Sequence, residues 1–169
     1  MAEHIFRTEN DYTVAVMRLV LGVVFFAHGA QKALGWFGGP GFDGTIGMFS
    51  KMGIGEPLAM VAIAAEFLGG LGLIAGLLAR IAALGVMINM LVAILLVHLR
   101  VGFFMNWAGN QGGEGFEFHL LAIALAIGIL VKGAGALSID RVVAASFARH
   151  HGVTAESRRA AQLRESGAH

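Results

Sequence analysis

Ionisable side chains sit in this chain where an apolar sequence has least use for them. Glu66 lies nine residues after Pro57, the one charge in a long apolar run. A preceding run holds Arg18 early and His28, Gln31 and Lys32 late; a third contains Asn89 and closes on His98; a fourth opens Glu117-Phe118-His119, just after Glu114. Inside hydrocarbon such groups cost several kcal/mol unless paired, neutral or hydrated, so each is a functional hypothesis by default. A carboxylate near a lysine and imidazoles can accept, hold and deliver a proton. The same groups can hydrogen-bond the carbonyl oxygens of a bound ring.

Each residue also has a plainer reading. Lys32 can extend to the outer headgroups and Arg18 to the inner ones. Glu66, roughly 13 Å below its helix start at about 1.5 Å per residue, is too deep for that. It is protonated, open to water, or paired with Arg18 or Lys32. At about 100° per residue, Arg18, Gly22, Phe25, His28, Gly29 and Lys32 share an arc of roughly 120°, a face suited to a neighbouring helix. Gly69 and Gly70 lie on the Glu66 face, and Gly72 with Gly76 forms a small-xxx-small pair. Asn89 and His98, nine residues apart, point to opposite sides of a regular helix, which makes Asn89 interhelical glue unless the helix kinks. Glu114 and Glu117 suit a helix N-terminus.

The elements that must position these groups are set by composition. Of 169 residues, 57% are hydrophobic and 14% charged, and the mean hydropathy is +0.74. Soluble domains carry about a quarter charged residues, so too little polar surface is available here to cover a globule. The apolar residues fall in blocks at 13–34, 57–78, 80–99 and 118–137, each of roughly the 20 residues a spanning helix needs. The expected fold is all-α: a polytopic, antiparallel transmembrane four-helix bundle with both termini on one side. Residues 1–12 form a polar N-terminal segment, 13–140 the membrane domain and 141–169 a basic tail. Arg7, Arg80, Arg141, Arg149, Arg158, Arg159 and Arg164 outweigh Lys32, Lys51 and Arg100 on the other side. By the positive-inside rule both ends are cytoplasmic, in a plasma or inner membrane. The tail begins Ser138-Ile139-Asp140-Arg141 like a helix start, and Val142, Val143 and Phe147 suit a helix on the membrane surface. His150, His151 and His169 are expected in solvent.

With that topology His28, Lys32, Glu66, His98, Glu117 and His119 reach one depth in the outer half of the bilayer. Above them lie two Gly/aromatic loops, GWFGGPGFDG and RVGFFMNWAGNQGGEGFE, read either as an aromatic belt with turns or as a lid. A flat, partly polar ring fits such a pocket, with hydrogen bonds at its polar edge and Trp36, Phe37, Phe103, Phe104 and Trp107 as walls. The absence of cysteine removes thiolate metal sites, Cys-ligated iron–sulfur clusters and disulfide redox chemistry. No flavin or nucleotide motif is visible, since GWFGGPG follows no strand. Three His without motif spacing make haem a poor fit, and no metal site is expected. Alternatives are a non-catalytic anchor or assembly partner, whose polar residues hold helices together, and a small proton-coupled transporter, for which four spans are few.

The segments Arg18-Leu19-x-Leu21-Gly22, His28-Gly29-x-x-Lys32, Glu66-x-x-Gly69-Gly70, Gly76-x-x-x-Arg80 and Gly135-x-Leu137-Ser138-Ile139-Asp140 together resemble the DoxX family of small four-helix membrane proteins over about residues 13–141. The resemblance implies a membrane subunit linked to quinone redox chemistry, because the family is similar to the membrane subunit of archaeal thiosulfate:quinone oxidoreductase. It also implies a soluble redox protein or a second copy as partner, beside the lipid bilayer, and no nucleic acid. Arg18, His28, Lys32 and Glu66 occupy motif positions. The expected site has Glu66, His28 and Lys32 for chemistry and Arg18, His98, His119, Trp107 and Glu117 as ligand contacts.

Overall fold

The structure is a computed structural model that describes residue 6 and residues 8–146. Tail positions 147–169, with Phe147, His150, His151 and His169, lie outside the described residues. Those described are helical or irregular, with no strand among them. Helix α1 spans Tyr12–Leu34, α2 Gly41–Lys51, α3 Glu56–Ala75, α4 Ala79–Ala93 and α5 Glu117–Lys132; a 3-10 turn, Trp36–Gly38, precedes α2. Helix α4 runs on as a π-helix over Ile94–His98. Residues 139–146 are also helical.

Local chemistry sets these limits. The Asp11 carboxylate accepts from the backbone N–H groups of Thr13 and Val14 and starts α1. Gly35, at φ 71°, ends it. Pro57 falls in the first turn of α3, where no N–H is needed. Three stretches, Tyr12–Leu34, Glu56–Ala75 and Ala79–His98, are long and apolar enough to cross a membrane. Helix α5 has 16 residues and stops at Lys132, short of the expected 137, because Gly133 and Gly135 turn the chain through positive φ.

Helix α1 packs on α3 and α5, and α4 packs on α3 and α5, so each of these four helices has two neighbours in the group. The α1–α3 crossing is a backbone contact. A Cβ on Gly29 would come within 2.4 Å of the Phe67 backbone, and one on Gly70 within 2.3 Å of the Phe26 nitrogen. Leu21, Phe25, Leu73, Val86, Ala126 and Ile129 fill the centre. Outward faces carry exposed Val20, Leu68, Ile81, Leu95, Leu121 and Val131, which suits lipid and not water.

The end formed by the α3–α4 turn and residues 133–140 is fastened by two charges. Arg18 is fully buried, and its guanidinium donates to the carbonyls of Leu73, Ile74, Ala134, Ala136 and Leu137. It thereby satisfies the C-terminal carbonyls that α3 leaves open. Asp140 accepts from the N–H groups of Leu78 at 2.7 Å and Ala79 at 2.9 Å, capping α4. Gly76 ends α3 at φ 65°, and its missing Cβ makes room for Ser138, whose Cβ would be 2.4 Å away.

Candidate functional site

Near the opposite end, three helices meet at Glu66. Its Oε2 pairs with Lys32 Nζ from α1, and its Oε1 accepts from Asn89 Nδ2 of α4 at 3.0 Å. The Gly29 approach puts α1 against the peptide of Glu66 itself, which brings Lys32, one turn on, within reach. The Glu66 side chain is 7% exposed and that of Lys32 is 22%. The carboxylate is therefore held from two sides while the ammonium keeps an open face.

This cluster borders a cavity of about 530 Å³, within the range of small-molecule sites. His28, Lys32, Glu66, Asn89, His98 and His119 all line it. The rest of the wall is apolar. Phe25, Phe49 and Phe118 contribute rings, and Met48, Met52, Met90 and Met105 contribute flexible, polarisable side chains that adapt to a ligand's shape. Met48 and Phe49 come from α2 and Met52 from its C-cap, the helix being held to α1 through Thr45 Oγ1 donating to the Lys32 carbonyl at 3.2 Å.

Asn89 and His98 share this cavity although a regular helix would set them on opposite sides. The π turn over Ile94–His98 is the reason, shown by Leu99 N–H donating to the Ile94 carbonyl at 2.8 Å. Each π step rotates the chain by about 80° instead of about 100°, so the angle between them falls from about 180° to about 90°. Asn89 was expected as glue between helices. It does join α3 and α4, and it does so on the cavity wall at Glu66. The Asn89–Glu66 pairing has no mark in the sequence beyond an amide in an apolar helix.

His98 and His119 lie ring against ring at 4.1 Å between centroids. His98 Nδ1 meets the Glu114 carbonyl at 2.7 Å; the carbonyl can only accept, so Nδ1 carries the proton and Nε2 is left as an acceptor. His119 is buried, and its Nδ1 has no hydrogen-bond partner among the described residues. His28 reaches Phe118, with ring centroids 6.1 Å apart.

Three expected ligand contacts are elsewhere, and so are the expected walls. Arg18 is locked on backbone carbonyls at the far end of α1, where the helix-end acceptors outcompete any ligand. Glu117 opens α5, and its Oε1 accepts from the Met105 N–H at 2.9 Å and from Trp107 Nε1 at 3.3 Å. Trp107 is 88% exposed on the outer surface of that loop. Glu117 and Trp107 thus shape the 99–116 segment and do not line the cavity. Trp36, Phe37, Phe103 and Phe104 are likewise exposed and absent from its wall. Of the two loops, the first encloses the cavity through the α2 side chains and the second through Met105 and Glu114.

Comparison with known proteins bears on the family. The DoxX family model matches residues 13–99, which contain Arg18, Lys32, Glu66, Asn89 and the π turn. "Putative oxidoreductase CatD" of Bacillus subtilis (strain 168) is 30% identical over 128 residues, covering 76% of this chain and 84% of the relative. An "Uncharacterized protein" of Haemophilus influenzae is 30% identical over 132 residues, covering 78% of this chain and 90% of its own length. No solved structure matches. A family match over more than half of the chain, joined to apolar helices of spanning length and to relatives alike along most of their length, places this chain in the DoxX family of membrane proteins.

Proposed function

We propose that this protein crosses a plasma or inner membrane four times as an antiparallel bundle, both ends cytoplasmic, and binds a quinone or a similar flat, partly polar ring as a redox-linked subunit. The observation that carries the reading is the cavity itself: an apolar chamber of about 530 Å³ with the Lys32–Glu66–Asn89 cluster and three imidazoles on its wall. Interhelical pairing alone needs no chamber, whereas a ring ligand needs an apolar slot with a few polar groups at fixed places. The name of the Bacillus subtilis relative supports an oxidoreductase role in the same direction.

Within that site each residue has a task its geometry permits. The Lys32 ammonium, paired to Glu66 by one oxygen, keeps further N–H donors for a ring carbonyl. Asn89 and Lys32 hold Glu66 in place beside the cavity, where its carboxylate can take up a proton and hand it on. His28 offers a ring nitrogen as donor or acceptor on the same wall. The Phe25 and Phe118 rings supply stacking faces, worth on the order of 1 kcal/mol beyond their buried area. A bound quinone supplies what the chain lacks, the capacity to take up electrons along with protons. A soluble redox protein is the proposed electron donor.

One observation favours a second reading. Both Glu66 oxygens are already satisfied by other helices, as in a purely structural joint that lets the protein serve as an anchor or assembly partner. Extraction of detergent-purified protein and equilibrium binding of ubiquinone-1 and menaquinone analogues separate the two. Quinone should co-purify above membrane background, and His28→Ala should weaken binding by about tenfold while leaving the helical content unchanged. Neither retained quinone nor measurable binding by a well-folded preparation leaves the anchor reading in its place.

A further inference from the structure

The cavity wall includes Glu114 of the 99–116 segment and six other residues that are also exposed: Met48 of α2 and Met52 just after it, Leu58 and Val61 of α3, and Ile88 of α4 with Leu96 of its π extension. All six are apolar, and Val61 is 63% exposed and Ile88 50%. Polar groups lie close to them, since Glu66 is five residues beyond Val61 on α3 and Asn89 directly follows Ile88 on α4. Val61 is five residues into α3, about 8 Å from its start, and Ile88 is ten residues before His98, about 15 Å from that end at 1.5 Å per residue. Both positions therefore fall at the depth of lipid chains and not of headgroups or water. An aqueous entrance at this depth would be bordered by polar side chains.

The geometry points to a lateral mouth between α2, α3 and α4 through which a membrane-dissolved ligand enters, its ring seated at Lys32–Glu66 and its apolar tail left in the mouth against Val61 and Ile88. The ligand class is accordingly a ring with a long aliphatic tail, not a water-soluble ring. This deepens the ring-ligand reading and rests on it for the head group, while the opening into lipid stands on the exposed wall alone. The tail gains little affinity there, since lipid chains are as apolar as the mouth. What the mouth decides is which molecules reach the site and which shapes fit.

Two measurements test this. The chain has no cysteine, so Val61→Cys and Ile88→Cys can each carry a single nitroxide in the otherwise unchanged protein in bilayers. Oxygen, which concentrates in lipid, should relax both labels and an aqueous nickel chelate should not. Relaxation by the chelate, or shielding from both reagents as under a partner helix, overturns the opening into lipid. In the second measurement Val61→Trp places an indole across the mouth, at a position exposed enough to accept it without disturbing the core. Binding of a decyl-tailed ubiquinone analogue should fall by about tenfold while that of tail-less ubiquinone-0 stays within about threefold. Equal loss of both, or loss of neither, refutes passage of the tail there. Wild-type protein that binds neither compound overturns the ring-ligand reading and the tail with it, while the nitroxide result still decides the mouth.

Discussion

Removing the Lys32 charge should hurt more than removing the Glu66 charge, although the two form one pair. Taking one partner from a buried ion pair costs roughly 3–5 kcal/mol when the other charge is left stranded. The Lys32 side chain is 22% exposed and that of Glu66 is 7%, so the stranded groups differ. After Lys32→Met the nearly buried carboxylate keeps only Asn89, for a loss of about 3 kcal/mol. After Glu66→Gln the amide can still meet Asn89, and the freed ammonium can extend toward the headgroups, for about 1.5 kcal/mol. With both changes no charge is stranded, and the double variant should lose about 2.5 kcal/mol, a coupling of about 2 kcal/mol. Unfolding in mixed dodecylmaltoside and SDS micelles, followed by circular dichroism, gives all four stabilities. Single losses that add to within about 0.5 kcal/mol, or a Glu66→Gln variant less stable than Lys32→Met, refute the pairing argument.

Three further outcomes follow from the same contacts. Gly70→Ala should cost about 1–3 kcal/mol because its Cβ meets backbone at 2.3 Å, whereas Gly85→Ala, whose nearest neighbour is the Ala65 Cβ at 3.8 Å, should be neutral or gain up to about 1 kcal/mol; SDS midpoints compare the two. Asp140→Ala uncaps α4 by stranding the Leu78 and Ala79 N–H groups and should lower the same midpoint by about 1–2 kcal/mol, with Asp140→Asn recovering part of it. Deleting Leu95, exposed within the π turn, should restore α geometry and leave Asn89 and His98 about 80° apart, so a further His98→Ala change should still cost the roughly 1 kcal/mol of its bond to Glu114.

What was legible in the sequence divides by physical cause. Apolar block length located the helices to within a few residues, because a bilayer-scale run has little alternative to a helix. Helices α3 and α5 end earlier than hydropathy alone indicates, at Gly76 and Gly133, where glycine geometry outweighs it. Gly22, Gly29 and Gly70 mark faces for close helix contact without saying which helices meet, and Lys32 is one of several partners the sequence leaves open to Glu66. Loop side chains have no period to read. The sequence therefore carries no mark of α2, the exposed loop aromatics resemble walls, and Met48, Met52 and Met105 do not stand out as lining residues. Asn89 and His98 were separated by a constant 100° step that a single π turn invalidates.

The motif residues themselves sort into two jobs, and this bears on what the family resemblance can carry. Arg18, Gly76, Gly135, Ser138 and Asp140 are spent on the α3–α4 turn and the segment after α5, where carbonyls and N–H groups at helix ends must be satisfied inside an apolar medium. A sequence likeness at those positions therefore reports a shared scaffold and no shared chemistry. His28, Lys32 and Glu66 stand on the cavity wall, and two of the three are committed to each other. Glu66 has both oxygens engaged as acceptors, so it can take up a proton only after a ligand has drawn Lys32 or Asn89 away. Lys32 is the partner with an exposed face and a flexible stem, and Asn89 is fixed on a packed helix. Competition between Glu66 and a ligand for the Lys32 ammonium is thus the step by which binding in this cavity would be felt by α1 and α3 together.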